Sequence, residues 1–422
     1  MSSAPVSDAP RRAPRIGVVD AVRGLAVLAM IEWHTAHAWL AGAARESGGF
    51  VAAELIGGLA APSFLLLAGV SSALASPLQP TAAQTWAGVR RGMRIALAGY
   101  ALSLYAWTVD RAAVLQMRNV PTAIAMALAL GLFALAIDDR KRSAQVRVGL
   151  AVAGLVAARF VAAQLDHVTR DGASLLPRID VLHGIGAALV VTSLALHAVR
   201  ALPLRTRAWI FGVGAITVAS LAWDVAGVPQ RVLPDAIADW IARDAVRPHG
   251  FPLFPWLAYS LLGASVALRL RASELRLDHA WALPNVSRPL IVALAALVIA
   301  ALAWEPWPVS RAVLALAPSL RSLGRLVFNA SVITASAALI ATFAPRALRA
   351  TRALALLGRH SLVVYAVHLE FAYGLAGIPL QRKLGFGAWA VGFVLLVGAM
   401  LALSYAIERA PRRDPARVRA VA

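Results

Sequence analysis

What most constrains this chain is the repetition of apolar runs of roughly 17 to 25 residues, the length a helix needs to cross about 30 Å of hydrocarbon. Such runs lie at residues 18–40, 51–75, 92–109, 120–137, 146–165, 179–199, 208–227, 251–270, 288–304, 323–343, 354–377 and 386–407. They do not alternate polar and apolar residues over about ten positions, as the strands of an outer-membrane barrel do. The expected fold class is therefore all-α, a polytopic transmembrane bundle of about 11 to 12 helices, eleven if a weak span such as 146–165 is lost. A chain that is 60% hydrophobic and 15% charged lies outside the range of soluble domains and agrees with that class.

Charge orients the bundle. The formal net charge is +20, and the arginines punctuate the apolar runs, as in Arg90, Arg91 and Arg94, in Arg205 and Arg207, in Arg269 and Arg271, and in Arg412 and Arg413. All these clusters fall on the side of the N-terminal tail, so the positive-inside rule places both termini in the cytoplasm. The excess charge reads as orientation and not as nucleic-acid binding. Residues 1–14 read as a disordered cytoplasmic tail, 15–410 as the transmembrane domain and 411–422 as a basic cytoplasmic tail. The chain has no Cys, which excludes disulfides, thiolate catalysis and Cys-ligated metal. No other metal-ligand spacing or Gly-rich phosphate loop is present. The longest connection, Val228 to Gly250, falls outside, with a short surface helix expected at Asp235 to Asp244.

The first helix carries ionisable residues where lipid discourages them: Asp20, Arg23, Glu32, His34 and His37. Arg23 and His34 are eleven residues apart. They therefore differ by only about 20° around the helix and about 16 Å along it. His37 joins their face within about 40°, and Glu32 points to the opposite side. With the first helix running outward, Asp20 and Arg23 sit at the cytoplasmic edge and His34 and His37 in the outer half. Asp180 and His183 open the sixth span at that same outer level, with Arg178 beside them. Tyr365, His368 and Glu370 reach it from the eleventh span.

Imidazole titrates nearest neutral pH, which makes His34 the candidate general base or transiently acylated nucleophile. Asp180, His183, His368 or Glu370 would orient it. Arg23 suits an anionic ligand arriving from the cytoplasm, because guanidinium holds phosphate bidentately. An ion pair with Asp20 that fixes the helix end is its structural alternative. The same buried His, Asp and Glu residues also suit a proton-coupled secondary transporter of a small solute, and a non-catalytic scaffold stays open.

Asp20-x-x-Arg23-Gly24 followed by His34 resembles the first-helix motif of acyltransferase-3 type membrane proteins. Further segments resemble the catalytic domain of heparan-alpha-glucosaminide N-acetyltransferase and its bacterial relatives. These are Pro62 to Leu65 with Ala68-Gly69-Val70, Arg178-Ile179-Asp180-Val181-Leu182-His183, Phe251-Pro252-Leu253-Phe254-Pro255-Trp256, and Leu357 to His368. The resemblance implies an acyl group, acetyl above all, taken from cytoplasmic acyl-CoA and delivered to a hydroxyl or amine of an extracytoplasmic glycan, with no metal. Asp20 and Arg23 would then lie at the CoA entrance, and His34, Asp180, His183 and His368 at the catalytic end. The lysosomal relative has a lumenal His in the loop after its first helix. Ala41 to Phe50 contains none, so His34 or His37 would take that role. The implied setting is the cytoplasmic (inner) membrane. The implied partners are membrane lipids, acyl-CoA, the glycan acceptor and, as an option, a second copy in a homodimer; nucleic acid is not expected.

Overall fold

The computed structural model describes residues 17–109, 179–242, 250–273, 319–343 and 348–410. The expected spans at 120–137, 146–165 and 288–304, Arg178, and both tails lie outside the described residues. Within them the chain is helical. Its helices are α1 (Gly17–Trp39), α2 (Gly42–Arg45), α3 (Gly48–Gly57), α4 (Ala60–Ala75), α5 (Ala82–Val109), α6 (Val181–Ala198), α7 (Leu204–Ser220), α8 (Asp235–Ile241), α9 (Leu253–Ala272), α10 (Ser319–Phe343), α11 (Leu348–Arg359), α12 (Ser361–Ala372) and α13 (Phe386–Arg409). Among the described residues, five segments are long and apolar enough to cross a membrane: Gly48–Ala75, Val181–Ala198, Leu253–Ala272, Ser322–Ala341 and Phe386–Arg409.

Several boundaries differ from the sequence expectation for local reasons. The run at 51–75 is broken at Gly57 and Gly58, where α3 ends against Trp33 and α4 begins. The run at 354–377 is divided at His360 into α11 and α12. Arg90, Arg91 and Arg94, expected in a loop, lie inside α5, which starts ten residues before the apolar run. Hydropathy marks where a helix enters hydrocarbon, whereas the hydrogen-bond ladder continues into the polar zone. The described part of the connection after α7 does contain the short helix expected of it, α8, and Ala238 and Ala242 are fully buried.

Lipid tails are as apolar as the helices, so close packing and hydrogen bonds must hold the bundle together. Glycines supply the close contacts in facing pairs. A Cβ on Gly24 of α1 would collide with the Leu354 carbonyl of α11, and one on Gly358 of α11 would collide with the Asp20 carbonyl of α1. Gly69 of α4 meets the Ser260 backbone of α9, while Gly263 of α9 meets that of Leu66. Gly92 and Gly186 join α5 to α6 in the same way. Of the two largest apolar cores among the described residues, one lies mainly among α4, α6, α7, α9 and α10 and the other mainly among α1, α11, α12 and α13, with smaller clusters around Trp86 and Phe50. Phe64, Ile95 and Val181 pack against both large cores.

Polar side chains tie the ends. Arg207, at the start of α7, donates to the carbonyls of Leu202, Leu78 and Arg200, and Arg271 of α9 donates to those of Ala73 and Ser76. Both arginines therefore brace neighbouring chain ends. After α12 the chain turns back, and Arg382 and Lys383 donate backbone hydrogen bonds to Ala38 and Trp39 at the end of α1.

Replacing Gly358 by Leu is expected to destabilise the protein by about 1–3 kcal/mol through overpacking of α1 against α11. The lipid-facing swap Val394→Ile should stay within about 0.5 kcal/mol. Thermal unfolding of the purified protein in one detergent checks the contrast, and equal midpoints would contradict the close-packing account.

Candidate active site

At the far end of α1 from Arg23, side chains from α1, α6 and α12 converge. His34 Nδ1 lies 2.7 Å from His368 Nε2. The two rings are stacked, with centroids 5.0 Å apart and planes 10° from parallel. His368 is fully buried, and its Nδ1 lies 2.9 Å from the Val364 carbonyl one turn earlier on α12. A carbonyl can only accept, so His368 Nδ1 carries the hydrogen, and in a neutral ring Nε2 is left as an acceptor. His34 must then donate from Nδ1, which leaves the His34 Nε2 lone pair available. Two hydrogen bonds thus select the tautomer that a base needs.

Asp180 is the N-cap of α6. Its carboxylate accepts from Val181 N at 2.7 Å, while His183 Nδ1 accepts from Asp180 N at 3.1 Å, forming a capping box. The second carboxylate oxygen accepts from the Tyr365 hydroxyl at 2.6 Å. Tyr365 lies one turn before His368 on α12 and meets both imidazoles edge-on, with centroids 6.3 Å from His34 and 5.7 Å from His368. Asp180 therefore reaches the histidine pair through Tyr365 and not directly. A turn holds it there: Gly250, at φ 107°, lets Phe251 N donate to the Ile179 carbonyl at 2.8 Å, tying the entry of α9 to the entry of α6.

His183 is fully buried behind the cap, with its ring 4.2 Å from Tyr100 of α5 and 5.9 Å from Trp240 of α8. Asp180 and His183, expected side by side at the opening of this span, do meet there. Asp180 precedes the first helical turn, and the pair meets through the backbone. Glu370 turns away, accepting from Ala376 N at 3.2 Å in the turn after α12. His37 meets Tyr373, with Nδ1 and the hydroxyl oxygen 3.2 Å apart. The Tyr373 ring also stands edge-on to His34 at 5.7 Å. Reasoning from sequence passed over Tyr373. The available signal was a tyrosine at the outer end of a span that also carries His368.

At the other end of α1, Arg23 Nη1 lies 2.9 Å from Asp20 Oδ1, and its Nη2 donates to Ser71 Oγ of α4 at 2.9 Å. The ion pair expected as a structural alternative is therefore present. Both side chains keep some exposure, 19% for Arg23 and 15% for Asp20, so the guanidinium is anchored yet reachable. Arg91 of α5 is close enough to act on it electrostatically. Among the described residues, no group of three or more His, Asp or Glu is placed to hold a metal ion.

The family model described as the catalytic domain of heparan-alpha-glucosaminide N-acetyltransferase matches residues 15–300. The chain belongs to this family. It is accordingly an N-acetyltransferase-like membrane enzyme. Neither a curated protein nor a solved structure matches it. Asp20, Arg23, His34, Asp180 and His183 fall within the matched segment, whereas Tyr365, His368 and Tyr373 lie beyond it. The half of the histidine cluster outside the family match is thus supplied by α12 and the turn that follows.

Tyr365→Phe removes the hydrogen from Asp180 Oδ2 and is expected to cost about 1–3 kcal/mol, the penalty of leaving a buried acceptor unpaired. Urea titration in mixed micelles measures it. An unchanged midpoint would mean that the hydroxyl contributes nothing to joining α6 and α12.

Proposed function

We propose that the protein transfers an acetyl group from acetyl-CoA in the cytoplasm to an amine or hydroxyl of a glycan on the other side of the membrane. The reading also sets it in the cytoplasmic membrane with both termini inside. The observation that carries it is the His34–His368 pair, which leaves one imidazole nitrogen of a half-buried histidine as a lone-pair base in a chain of this family.

In this scheme Arg23, braced by Asp20 and Ser71, receives phosphate oxygens of CoA at the cytoplasmic edge, with Arg91 adding positive charge. The thioester reaches between the helices toward His34, about 16 Å further along α1 at 1.5 Å rise per residue. The acceptor nitrogen or oxygen attacks the thioester carbonyl and gives its proton to His34 Nε2. The new C–N or C–O bond forms as the C–S bond breaks, and the proton passes on to the departing thiolate, releasing CoA with a free thiol. His368 accepts the His34 Nδ1 hydrogen bond throughout and spreads the charge that develops on the ring. Asp180 and Tyr365 hold the helices that carry the pair. Direct attack by the acceptor is the simpler route, since the imidazole nitrogen needs only to act as a base.

Purified protein in proteoliposomes, given acetyl-CoA and a panel of amino sugars and hydroxyl glycans, should release CoA with a free thiol. His34→Ala is expected to reduce that release by at least about 100-fold, the lower end of what a positioned base contributes. Arg23→Gln should raise KM for acetyl-CoA with a smaller effect on kcat. Intact acetyl-CoA across the panel, or full activity of His34→Ala, would overturn the proposal.

A further inference from the structure

One carboxyl on α1 takes no part in the histidine cluster. Glu32 lies two residues before His34 and therefore at nearly the same depth, but about 200° away around the helix. It is 8% exposed, and its Oε2 is buried without a hydrogen-bond partner. No cation among the described residues pairs with it. A carboxyl left in this condition inside a membrane bundle is costly, and residues of this kind mark binding sites or ion paths.

Glu32 faces an open-sided cavity of about 270 Å³ lined by α1, the α3–α4 junction, α10 and α13. Along α1 the lining runs from Val22 through Ala29 to Glu32, ten residues, or about 15 Å at the helical rise. The opposite walls are apolar, with Ile333 of α10 and Phe393 of α13, and among the described residues the only other polar side chains on them are Ser63 and Ser336. The neighbours of Phe393 on α13, Val394 and Leu395, are 64% and 69% exposed, so this wall adjoins the lipid-facing surface.

We infer that this groove is a second ligand site, taking the alkyl chain of a membrane amphiphile whose primary ammonium head binds Glu32. The shape is an elongated apolar slot, which accommodates a chain lying along α1. The head chemistry follows from charge: an ammonium brings both the missing counter-charge and donors for an unpartnered carboxylate, and charge-assisted hydrogen bonds are the strong ones. A hydroxyl head supplies only one donor and no charge, and a carboxylate head repels. The site lies on the far side of α1 from His34, so it is separate from acyl transfer.

The full chain in phosphatidylcholine nanodiscs, titrated with radiolabelled dodecylamine, should bind saturably at one site, at least tenfold more tightly than dodecanol or dodecanoate. Glu32→Gln should weaken dodecylamine binding by about tenfold or more. Ala29→Phe, which fills the slot without touching the carboxyl, should abolish it and so decides the matter if Glu32→Gln does not fold. His34→Ala should leave binding unchanged. Four results would each overturn the inference: equal affinity for dodecanol, unaltered binding by Glu32→Gln or Ala29→Phe, loss of binding in His34→Ala, or only the non-saturable partitioning seen with empty nanodiscs.

Discussion

The arrangement of the histidine pair depends on one close contact between backbones, that of Gly24 with the α11 segment at Leu354 and of Gly358 with α1 at Asp20. α11 leads through His360 into α12, so this contact sets α12 running parallel to α1 in a fixed register. Gly24 and Gly358 are separated by 334 positions (358 − 24), and so are His34 and His368 (368 − 34). Ten residues beyond each glycine in the chain the two imidazoles meet at 2.7 Å. Without water to drive apolar association, a register this specific must come from sterics, and glycine is what permits the approach.

Hydrogen bonding completes what packing begins. In hydrocarbon an ionisable side chain needs a partner, and the histidine cluster supplies one for each member of a short series: Val364 to His368, His368 to His34, and Tyr365 to Asp180. The series also has direction, because the backbone carbonyl at one end fixes the tautomer of both rings. Glu32 stands outside it, on the other side of the same helix. A single span thus presents an imidazole to one neighbourhood and an unpartnered carboxyl to another.

The sequence made much of this readable. Helical class followed from run lengths, and the depth of His34, Asp180 and His368 followed from the direction of their spans. Asp180 and His183 open the span as a capping pair, because the helix begins at Val181, two residues later than the apolar run at 179–199 indicates. The spacing of Arg23 and Asp20 allows a ligand site or an ion pair, and the pair is formed with some exposure remaining. Tyr365 and Tyr373 went unassigned because a tyrosine near a helix end has the same pattern whether it anchors an interface or orients a carboxylate.

From the sequence alone came the membrane-spanning helical class, the position of each ionisable residue along its helix and the resemblance to an acetyltransferase family. Periodicity and hydropathy carry that information within one segment at a time. Only the tertiary structure decided that His34 and His368 touch, that Tyr365 links α12 to Asp180, and that Glu32 opens into a separate groove. Those facts are lateral relations between helices. They are set by which small residues let two backbones approach and in what register, and no property of either helix by itself contains them.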